Sequence, residues 1–428
     1  MQDSEYIEYK RRRNRVIAIC VAAYAVSYLC RTNLSLALND IIGMLGITRA
    51  QAGMISTMHF WAYAGGQLLA GFLCTKIDPK YVAGAGMLMT AVCNGLIGFC
   101  SGYGAIVALW ALNGLSLALF WPPILQISIN WVTPKEYAAV SILLNLPTTV
   151  GYLLTWSTLG TVRTLIGWRW LFFIPSLGAL AFLAFWLWKL EAHAPAQYAR
   201  FLRTDAPARK AESGEASSSS AQSLRKTLLS GSLLCFAAVV IAQGAIKESI
   251  NLWAPTLLGD QATGSFAPLA SAFTTLIPLF STIGLLFTAW LTHHYKDSCN
   301  GPMVCLLLLG LAAGWSMMAM GNRILGLVIC LGLLLAVVYG VNTILTTLLP
   351  LQFSKSGNSA LLSSIFNFLS YTGAALGGMI SGAACDVWGW HSVYILWAGL
   401  ASLSALILIS YVLVETLSAR HKVAAAVR

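Results

Sequence analysis

The stretch RTNLSLA at residues 31–37 recurs as KESINLW at residues 247–253, and this repeat is the strongest indication of the fold. A cation begins each copy, and from the third position a small polar, a branched apolar and a second small polar residue precede a leucine. Two further matches follow in the same order: SILLNLPTTVG (141–151) with SIFNFLSYTG (364–373), and GWRW (167–170) with GWHS (389–392). Three matches in one order at nearly one offset indicate two copies of one structural unit.

The composition is that of a membrane protein. Of the 428 residues 58% are hydrophobic and only 10% are charged, whereas soluble domains carry about 25% charged residues. A helix that crosses a bilayer needs about 20 mainly apolar residues. The sequence predicts twelve such segments, at about 16–38, 49–75, 81–100, 104–130, 137–160, 168–189, 229–257, 264–291, 301–320, 324–349, 357–384 and 390–414.

A polar stretch at 190–228, with four consecutive serines at 217–220, divides these segments into two sets of six. We therefore predict an N-terminal six-helix bundle (1–189), a cytoplasmic linker (190–228) and a C-terminal six-helix bundle (229–428). Two parallel six-helix halves are the major facilitator architecture. The predicted fold class is an all-α membrane protein of 12 transmembrane helices in two pseudo-symmetric bundles.

The basic residues behind the net charge of +11 lie mostly on one predicted side of the membrane. With the N-terminus inside, twenty of the 26 lysines and arginines fall on the cytoplasmic side and four on the other. This positive-inside bias predicts a multi-pass protein of the inner (plasma) membrane with both termini cytoplasmic. It also accounts for the basic balance without a nucleic-acid partner.

Arg31 and Lys247 begin the two copies of the repeat and lie in otherwise apolar segments. A charge near the bilayer centre costs about 2.5–3.5 kcal/mol on insertion scales, and such residues usually serve function. Arginine cannot lose its proton to avoid that cost. Two equivalent cations, one in each half, predict an anion site, and a guanidinium matches phosphate or carboxylate. The alternatives for each are a structural charge paired inside the bundle and a side chain that extends to the membrane interface.

The stretch FWPPILQISINWVTPKE (120–136) resembles the fourth helix of the organophosphate:phosphate antiporters, the group of the glycerol-3-phosphate and hexose-phosphate transporters. YLCRTNLS (28–35) resembles their first helix and KESINLWAPTLL (247–258) their seventh. The resemblance implies that Arg31 and Lys247 bind phosphate, although the family's second arginine is lysine here. Thr32, Gln67 and Thr148 stand where relatives can carry cations or histidine, so a less cationic pocket is implied.

The resemblance implies exchange of a phosphorylated organic anion, of the sugar phosphate or glycerol phosphate type, for inorganic phosphate. Rocker-switch alternating access between the two halves is the expected mechanism. Further pocket residues are predicted at positions that lie on the expected helices 1, 2, 4, 5, 7 and 11: Tyr28, Gln67, Trp121, Thr148, Gln243 and Asn367. Polar contact between helices is the alternative role for the polar members of this set.

Glu248 and His59 leave a second function open. Either could carry a proton, and the protein would then be a proton-coupled symporter of a sugar acid or another carboxylate. A structural counterion role for Glu248 and a hydrogen-bonded interior position for His59 are the alternatives. A third, minor possibility is a membrane sensor of a phosphorylated sugar.

Enzyme chemistry is not expected, because the sequence carries no phosphate-binding loop and no nucleophile–base pattern. We expect no cofactor and no metal site, although HHYKDSC (293–299) contains metal-ligating residue types. The expected partners are the small anionic substrate, inorganic phosphate and the lipid bilayer, and the expected state is a monomer.

Overall fold

The structure, a computed structural model, describes residues 2–133, 136–202, 231–261, 270–295, 299–320, 323–352 and 359–426. All regular elements within these ranges are helices. This agrees with a chain in lipid, where each segment must satisfy its own backbone hydrogen bonds. The chain groups into two compact units, Met1–Ile47 with Met54–Ser213 and Thr48–Gly53 with Gly214–Arg428.

Two short helical turns, Ala196–Tyr198 and Ala199–Leu202, end the described part of the first half of the chain. Before them lie six longer helical segments, numbered α1 to α6. They are α1 Gln2–Leu45, α2 Arg49–Cys74, α3 Pro79–Phe99, α4 Tyr103–Ala118 continued by Trp121–Ile129, α5 Tyr137–Leu154 continued by Thr155–Leu159 and Gly160–Ile166, and α6 Trp170–Lys189.

The second half contains six more, α7 to α12. They are α7 Gly231–Gln261, α8 Ala270–His294, α9 Asn300–Met320, α10 Ile324–Thr343 continued by Ile344–Leu348 and Leu349–Gln352, α11 Ser359–Trp388 and α12 Trp390–Ala426. Residues 203–230, most of the predicted linker, lie outside the described ranges.

The twelve predicted segments each correspond to one of these helices. The largest differences are in α1 and α12, which extend beyond their apolar stretches into polar sequence. In α1 the extension is supported by the Arg12–Glu8 ion pair, 2.8 Å across one helical turn, and by Tyr9, whose hydroxyl donates to the Trp131 carbonyl at 2.8 Å. Hydropathy marks where a helix is apolar, whereas these contacts decide where it ends.

Nine helices of the described ranges are long and apolar enough to cross a membrane. The other three segments, α2, α5 and α11, are not among these nine within the described residues. The interruption in α5 is a five-residue π-helical turn, Thr155–Leu159. Such turns often mark functional regions of a helix.

A break in α4 separates Ala118 from Trp121. Pro122 and Pro123 follow directly and occupy the first turn of the second part of the helix. Proline has no N–H to donate and its ring clashes with the carbonyl four residues before it. The WPP triplet therefore forces a new helix start, with Trp121 as its first residue.

The internal repeat is visible in the packing of two matched glycines. A Cβ atom at Gly151 on α5 would meet Tyr28 of α1, with the ring Cγ atom 2.8 Å away. A Cβ atom at Gly373 on α11 would meet α7, with the backbone nitrogen of Ala245 3.0 Å away. In each unit the fifth helix thus crosses the first at a glycine, next to the helix turns that lead to Arg31 and Lys247.

The carboxylate of Glu136, between α4 and α5, is held by several donors. The backbone N–H and the hydroxyl of Thr133 donate to one oxygen at 3.1 and 3.0 Å, and Arg13 of α1 forms an ion pair with the other. Burial raises the pKa of Glu136, but these donors outweigh burial and hold the pKa below its ordinary value of 4.5.

We expect this contact to make stability depend on acid pH. A carboxyl group whose pKa falls on folding stabilises the fold above its unfolded pKa, and the effect is lost as pH falls through the folded pKa. Glu136→Gln should therefore melt below the wild type at neutral pH, and the gap should close as pH falls below 4.5. Thermal unfolding in detergent across this range measures it. A gap that stays constant would contradict the assignment.

Candidate functional site

Arg31 lies on a face of α1 that also carries two tyrosines. Tyr24, Tyr28 and Arg31 are spaced by four and three residues, so they project from the same side of the helix. The Tyr24 and Tyr28 rings contact each other edge to face, with centroids 5.3 Å apart. The Arg31 guanidinium carbon lies 5.5 Å from the centre of the Tyr28 ring. The predicted Tyr28 and Arg31 are therefore together.

Aromatic residues of α2 cover the same guanidinium. The Arg31 guanidinium carbon lies 4.9 Å from the centre of the Tyr63 ring and 5.7 Å from that of Phe60. Cation–π contacts contribute about 0.5–2 kcal/mol each. The contacts with Tyr28, Tyr63 and Phe60 together contribute an energy comparable with the cost of about 2.5–3.5 kcal/mol for placing an arginine at the centre of a membrane. The protein therefore offsets much of the cost of a permanent charge with aromatic rings.

His59 and Gln67 share the α2 face of Tyr63, each four residues from it. His59 is 2% exposed, its ring stacks on Trp110, and Nδ1 donates to the Trp110 carbonyl at 3.1 Å. Because a carbonyl can only accept, Nδ1 carries a hydrogen. His59 is thus a hydrogen-bonded interior residue, packed beside the rings that hold Arg31. Gln67 is half-buried two turns further along α2.

Trp121 and Tyr152 extend this aromatic group to α4 and α5. The Trp121 ring lies 5.2 Å from Tyr24, and the Tyr152 ring lies 5.7 Å from Tyr28. Trp156, in the π-helical turn of α5, donates its Nε1–H to the Ser35 hydroxyl of α1 at 3.2 Å. Thr148 is half-buried one turn before Tyr152, on the same side of α5. We use the name Arg31 cluster for the following residues of α1, α2, α4 and α5: Tyr24, Tyr28, Arg31, Ser35, His59, Phe60, Tyr63, Gln67, Trp121, Thr148, Tyr152 and Trp156.

The second unit has a smaller polar cluster around Lys247. The ammonium nitrogen of Lys247 lies 3.4 Å from Glu248 Oε1, and both side chains are largely buried. It also lies 5.5 Å from the centre of the Tyr339 ring of α10, whose hydroxyl accepts from Asn251 at 3.4 Å. The adjacent carboxylate gives Lys247 a counterion, which favours the counterion interpretation of Glu248.

Two further predicted residues make hydrogen bonds inside the second unit. Gln243, one turn before Lys247, donates to the Ser404 hydroxyl of α12 at 3.2 Å. Its Oε1 atom is buried and has no partner in the described part of the chain. Asn367 is half-buried and donates to the Ser363 carbonyl of its own helix at 3.0 Å.

Thr32, which departs from the family pattern, and polar residues of two loops make local contacts. The Thr32 hydroxyl donates to the Tyr28 carbonyl at 2.8 Å, within α1. In the loop between α2 and α3, Thr75 donates to the Phe72 carbonyl at 2.8 Å, and Asp78 accepts from the Lys80 N–H at 2.8 Å and so caps α3. His293 and His294 end α8, and Asp297 lies outside the described ranges.

Sequence reasoning did not single out Phe60 and Tyr63, which contact Arg31, or Tyr152, which contacts Tyr28. A signal was present, since Tyr63 follows His59 by four residues and Tyr152 follows Thr148 by four. The first turn of α2 was also missed. Its Arg49 pairs with Asp260 at 2.8 Å, and Asp386 accepts from the backbone N–H groups of Arg49 and Ala50 at 3.0 and 2.8 Å.

Residues 20–378 match the Major Facilitator Superfamily. The chain belongs to this superfamily. It is therefore a multi-pass membrane transporter and not an enzyme, as the sequence predicts. The family also accounts for the two units with matched glycine crossings.

Several relatives are similar to the chain over nearly their full length. A "Probable hexose phosphate transport protein" of Chlamydia pneumoniae is 22% identical over 95% of this chain and 93% of its own. The "Membrane sensor protein UhpC" of Escherichia coli is 22% identical over 95% and 94%. A "Glycerol-3-phosphate transporter" of Bacillus subtilis is 23% identical over 91% and 89%.

A solved structure of the nucleoside transporter NupG has the same fold. It covers 92% of this chain and 98% of its own with a TM-score of 0.70 and 13% sequence identity. At this identity the likeness concerns the fold alone. Substrate chemistry has to be argued from the residues of the two clusters.

Proposed function

We propose that the protein transports a phosphorylated organic anion, of the sugar phosphate or glycerol phosphate type, in exchange for inorganic phosphate. The observation that carries this proposal is Arg31, a permanent cation held among aromatic rings at the repeat position of Lys247. The names of two of the relatives, a hexose phosphate and a glycerol-3-phosphate transporter, point to the same substrate class.

Phosphate suits these two cations better than a single carboxylate does. A guanidinium presents a planar fork of donors that binds two phosphate oxygens, and an ammonium adds a compact charge. A phosphate group carries enough oxygens and charge to engage both Arg31 and Lys247. The substrate residues in this proposal also include Tyr28, Gln67, Trp121, Thr148, Gln243 and Asn367.

Exchange follows from the electrostatics of an empty carrier. In the empty carrier Arg31 and Lys247 are like charges in the two halves, and Glu248 offsets only part of their charge. We propose that their repulsion makes the occluded state unfavourable. A bound phosphate offsets these charges and makes that state accessible, so the carrier switches loaded and returns loaded. We propose that the switch is a rocking motion of the two six-helix halves. The carrier is further proposed to act as a monomer in the plasma membrane, with both termini cytoplasmic.

One observation favours a second function. Glu248 lies beside Lys247 in a largely buried pair, and such a carboxylate could bind a proton together with the substrate and release both on the other side. In that case the protein would be a proton-coupled symporter of a carboxylate. The sensor alternative is supported by the name of the relative UhpC.

Phosphate exchange in proteoliposomes tests the proposal. Vesicles are loaded with unlabelled phosphate, labelled phosphate is added outside without a pH gradient, and vesicles without internal phosphate are the control. We expect uptake only into loaded vesicles, and we expect external sugar phosphate or glycerol phosphate to compete with it.

The Glu248→Gln variant separates the alternatives. Under exchange, the variant should retain phosphate uptake into loaded vesicles, because no proton is needed. Carboxylate uptake into empty vesicles that is driven by a pH gradient and lost in Glu248→Gln would establish the symporter instead. Binding of sugar phosphate without any transport would establish the sensor.

A further inference from the structure

In both units the residue two positions after the cation is a buried polar residue bound to other helices. Asn33 follows Arg31, Ser249 follows Lys247, and each is 0% exposed. Asn33 Nδ2 donates to Asn94 Oδ1 of α3 at 2.8 Å and to the Leu171 carbonyl of α6 at 2.9 Å. Its Oδ1 has no partner in the described part of the chain, so the side chain is held through its amide nitrogen.

Two more asparagines bind the backbone next to Arg31. The amide nitrogens of Asn94 and Asn113, on α3 and α4, donate to the Cys30 carbonyl at 3.4 and 3.0 Å. Asn94 also donates to Asn113 Oδ1 at 3.2 Å, and the Thr90 hydroxyl donates to the same atom. The turn of α1 that carries Arg31 is therefore bonded to three neighbouring helices.

The second unit makes an equivalent contact with different chemistry. The Ser249 hydroxyl donates to Ser381 Oγ of α11 at 2.6 Å. The indole N–H of Trp397 on α12 lies 3.2 Å from both hydroxyl oxygens. In both units, then, the residue two positions after the cation forms a hydrogen bond between the first and the last helix of the unit. The two halves share the position of this hydrogen-bonding residue but not its residue type.

This position is suited to orienting the cation without touching what it binds. Successive residues of an α-helix are about 100° apart, so residues two apart lie about 200° apart and project from nearly opposite sides. Asn33 therefore holds the side of α1 opposite Arg31, and Ser249 holds the side of α7 opposite Lys247. A helix fixed on one side cannot rotate, and this sets the direction of the group on the other side.

We propose that Asn33 and Ser249 are positioning residues, which set the rotation of α1 and α7 and so aim Arg31 and Lys247 at the anion. This proposal rests on the proposed function for the identity of the anion, but not for the hydrogen-bonded geometry. Asn94 and Asn113 belong to the same device, since they bind the carbonyl that precedes Arg31. Binding sites hold their groups to within about half an ångström, so a small rotation of either helix weakens binding.

Kinetics of phosphate exchange distinguish positioning from ordinary stabilisation. The variants are Asn33→Ala and Ser249→Ala. The control is Ser176→Ala, which removes a buried 2.7 Å bond from α6 to the Ala91 carbonyl of α3 and leaves α1 untouched. We expect the KM for phosphate to rise about ten-fold or more in the two test variants. We expect kcat to stay within about two-fold and the control to change neither constant.

An alanine variant that folds poorly would give no usable kinetics. Conservative variants and hydrogen exchange of the ligand-free protein then test the proposal instead. Ser249→Thr keeps the hydroxyl and should restore most of the affinity. Hydrogen exchange of purified, ligand-free protein should accelerate in residues 28–36 of Asn33→Ala or of the milder Asn33→Ser, and not in α3 or α6. An unchanged KM in folded variants, or an equal rise in Ser176→Ala, would overturn the proposal.

Failure of the proposed function gives a different result. If wild-type protein exchanges no phosphate, the substrate assignment falls and the hydrogen-exchange experiment alone decides the positioning role. Uniform protection of residues 28–36 in wild type and Asn33→Ser would then overturn it, while selective acceleration there would sustain it.

Discussion

Arg31→Gln abolishes phosphate exchange while the protein still folds: this is the largest effect we expect. Glutamine keeps hydrogen-bonding capacity but removes the charge that the anion requires. Removing one partner of a buried ion pair costs about 3–5 kcal/mol, which corresponds to a loss of roughly two to four orders of magnitude in affinity. The measurement is the rate of labelled phosphate uptake into phosphate-loaded proteoliposomes, with folded protein quantified in the same vesicles.

Arg31→Lys and a matched arginine sharpen this experiment. Lysine keeps the charge but not the planar fork of donors, so it should retain a small part of the exchange. Arg163→Gln removes an arginine of the same unit. Arg163 pairs with Asp40, on another part of α1, at 2.6 Å. The phosphate exchange of this variant should remain close to that of the wild type. Normal exchange in Arg31→Gln would remove the proposed phosphate site from α1.

Gly373→Ala should produce the largest loss of stability. Its Cβ would lie against the backbone of α7, closest to the Ile241 carbonyl oxygen and 3.0 Å from the Ala245 nitrogen. A backbone cannot move aside as a side chain can, so α11 must separate from α7. Overpacking of a core costs about 1–3 kcal/mol, and we expect the upper end here. Thermal unfolding in detergent measures the effect.

Gly399→Ala is the control for this substitution. Gly399 lies inside α12 and no atom lies within 4 Å of where its Cβ would be. Alanine favours an α-helix over glycine by up to about 1 kcal/mol, so this variant should melt at or above the wild-type temperature. Equal melting temperatures for the two variants would show that the α7–α11 crossing tolerates a side chain.

The contrast between these two glycines shows what sequence patterns can and cannot tell. Both glycines occur in predicted helices, and both are next to apolar residues. The match between SILLNLPTTVG and SIFNFLSYTG marks Gly373 as the counterpart of Gly151, and the structure places both at helix crossings. Nothing in the sequence around Gly399 distinguishes it, because its surroundings depend on which side of α12 faces another helix.

The number, order and approximate bounds of the helices were determined by the sequence alone. They depend on runs of consecutive apolar residues and on breaks such as Pro122–Pro123, which are local properties of the chain. The repeat also identified Arg31 and Lys247 as equivalent cations, because the residue types recur in order at one offset. Predicting these features does not require knowledge of which helices contact one another.

Only the tertiary structure decided what surrounds those cations. The rings of Phe60 and Tyr63 reach Arg31 because of how α2 is rotated against α1. Asn33, Asn94 and Asn113 are ordinary polar residues in three apolar segments until packing brings their amides within hydrogen-bonding distance. Such contacts join residues far apart in the chain, and they depend on helix rotation and crossing, which hydropathy and spacing leave open. The composition thus determined a membrane bundle, and the packing of its helices decided where a charge could be held in it.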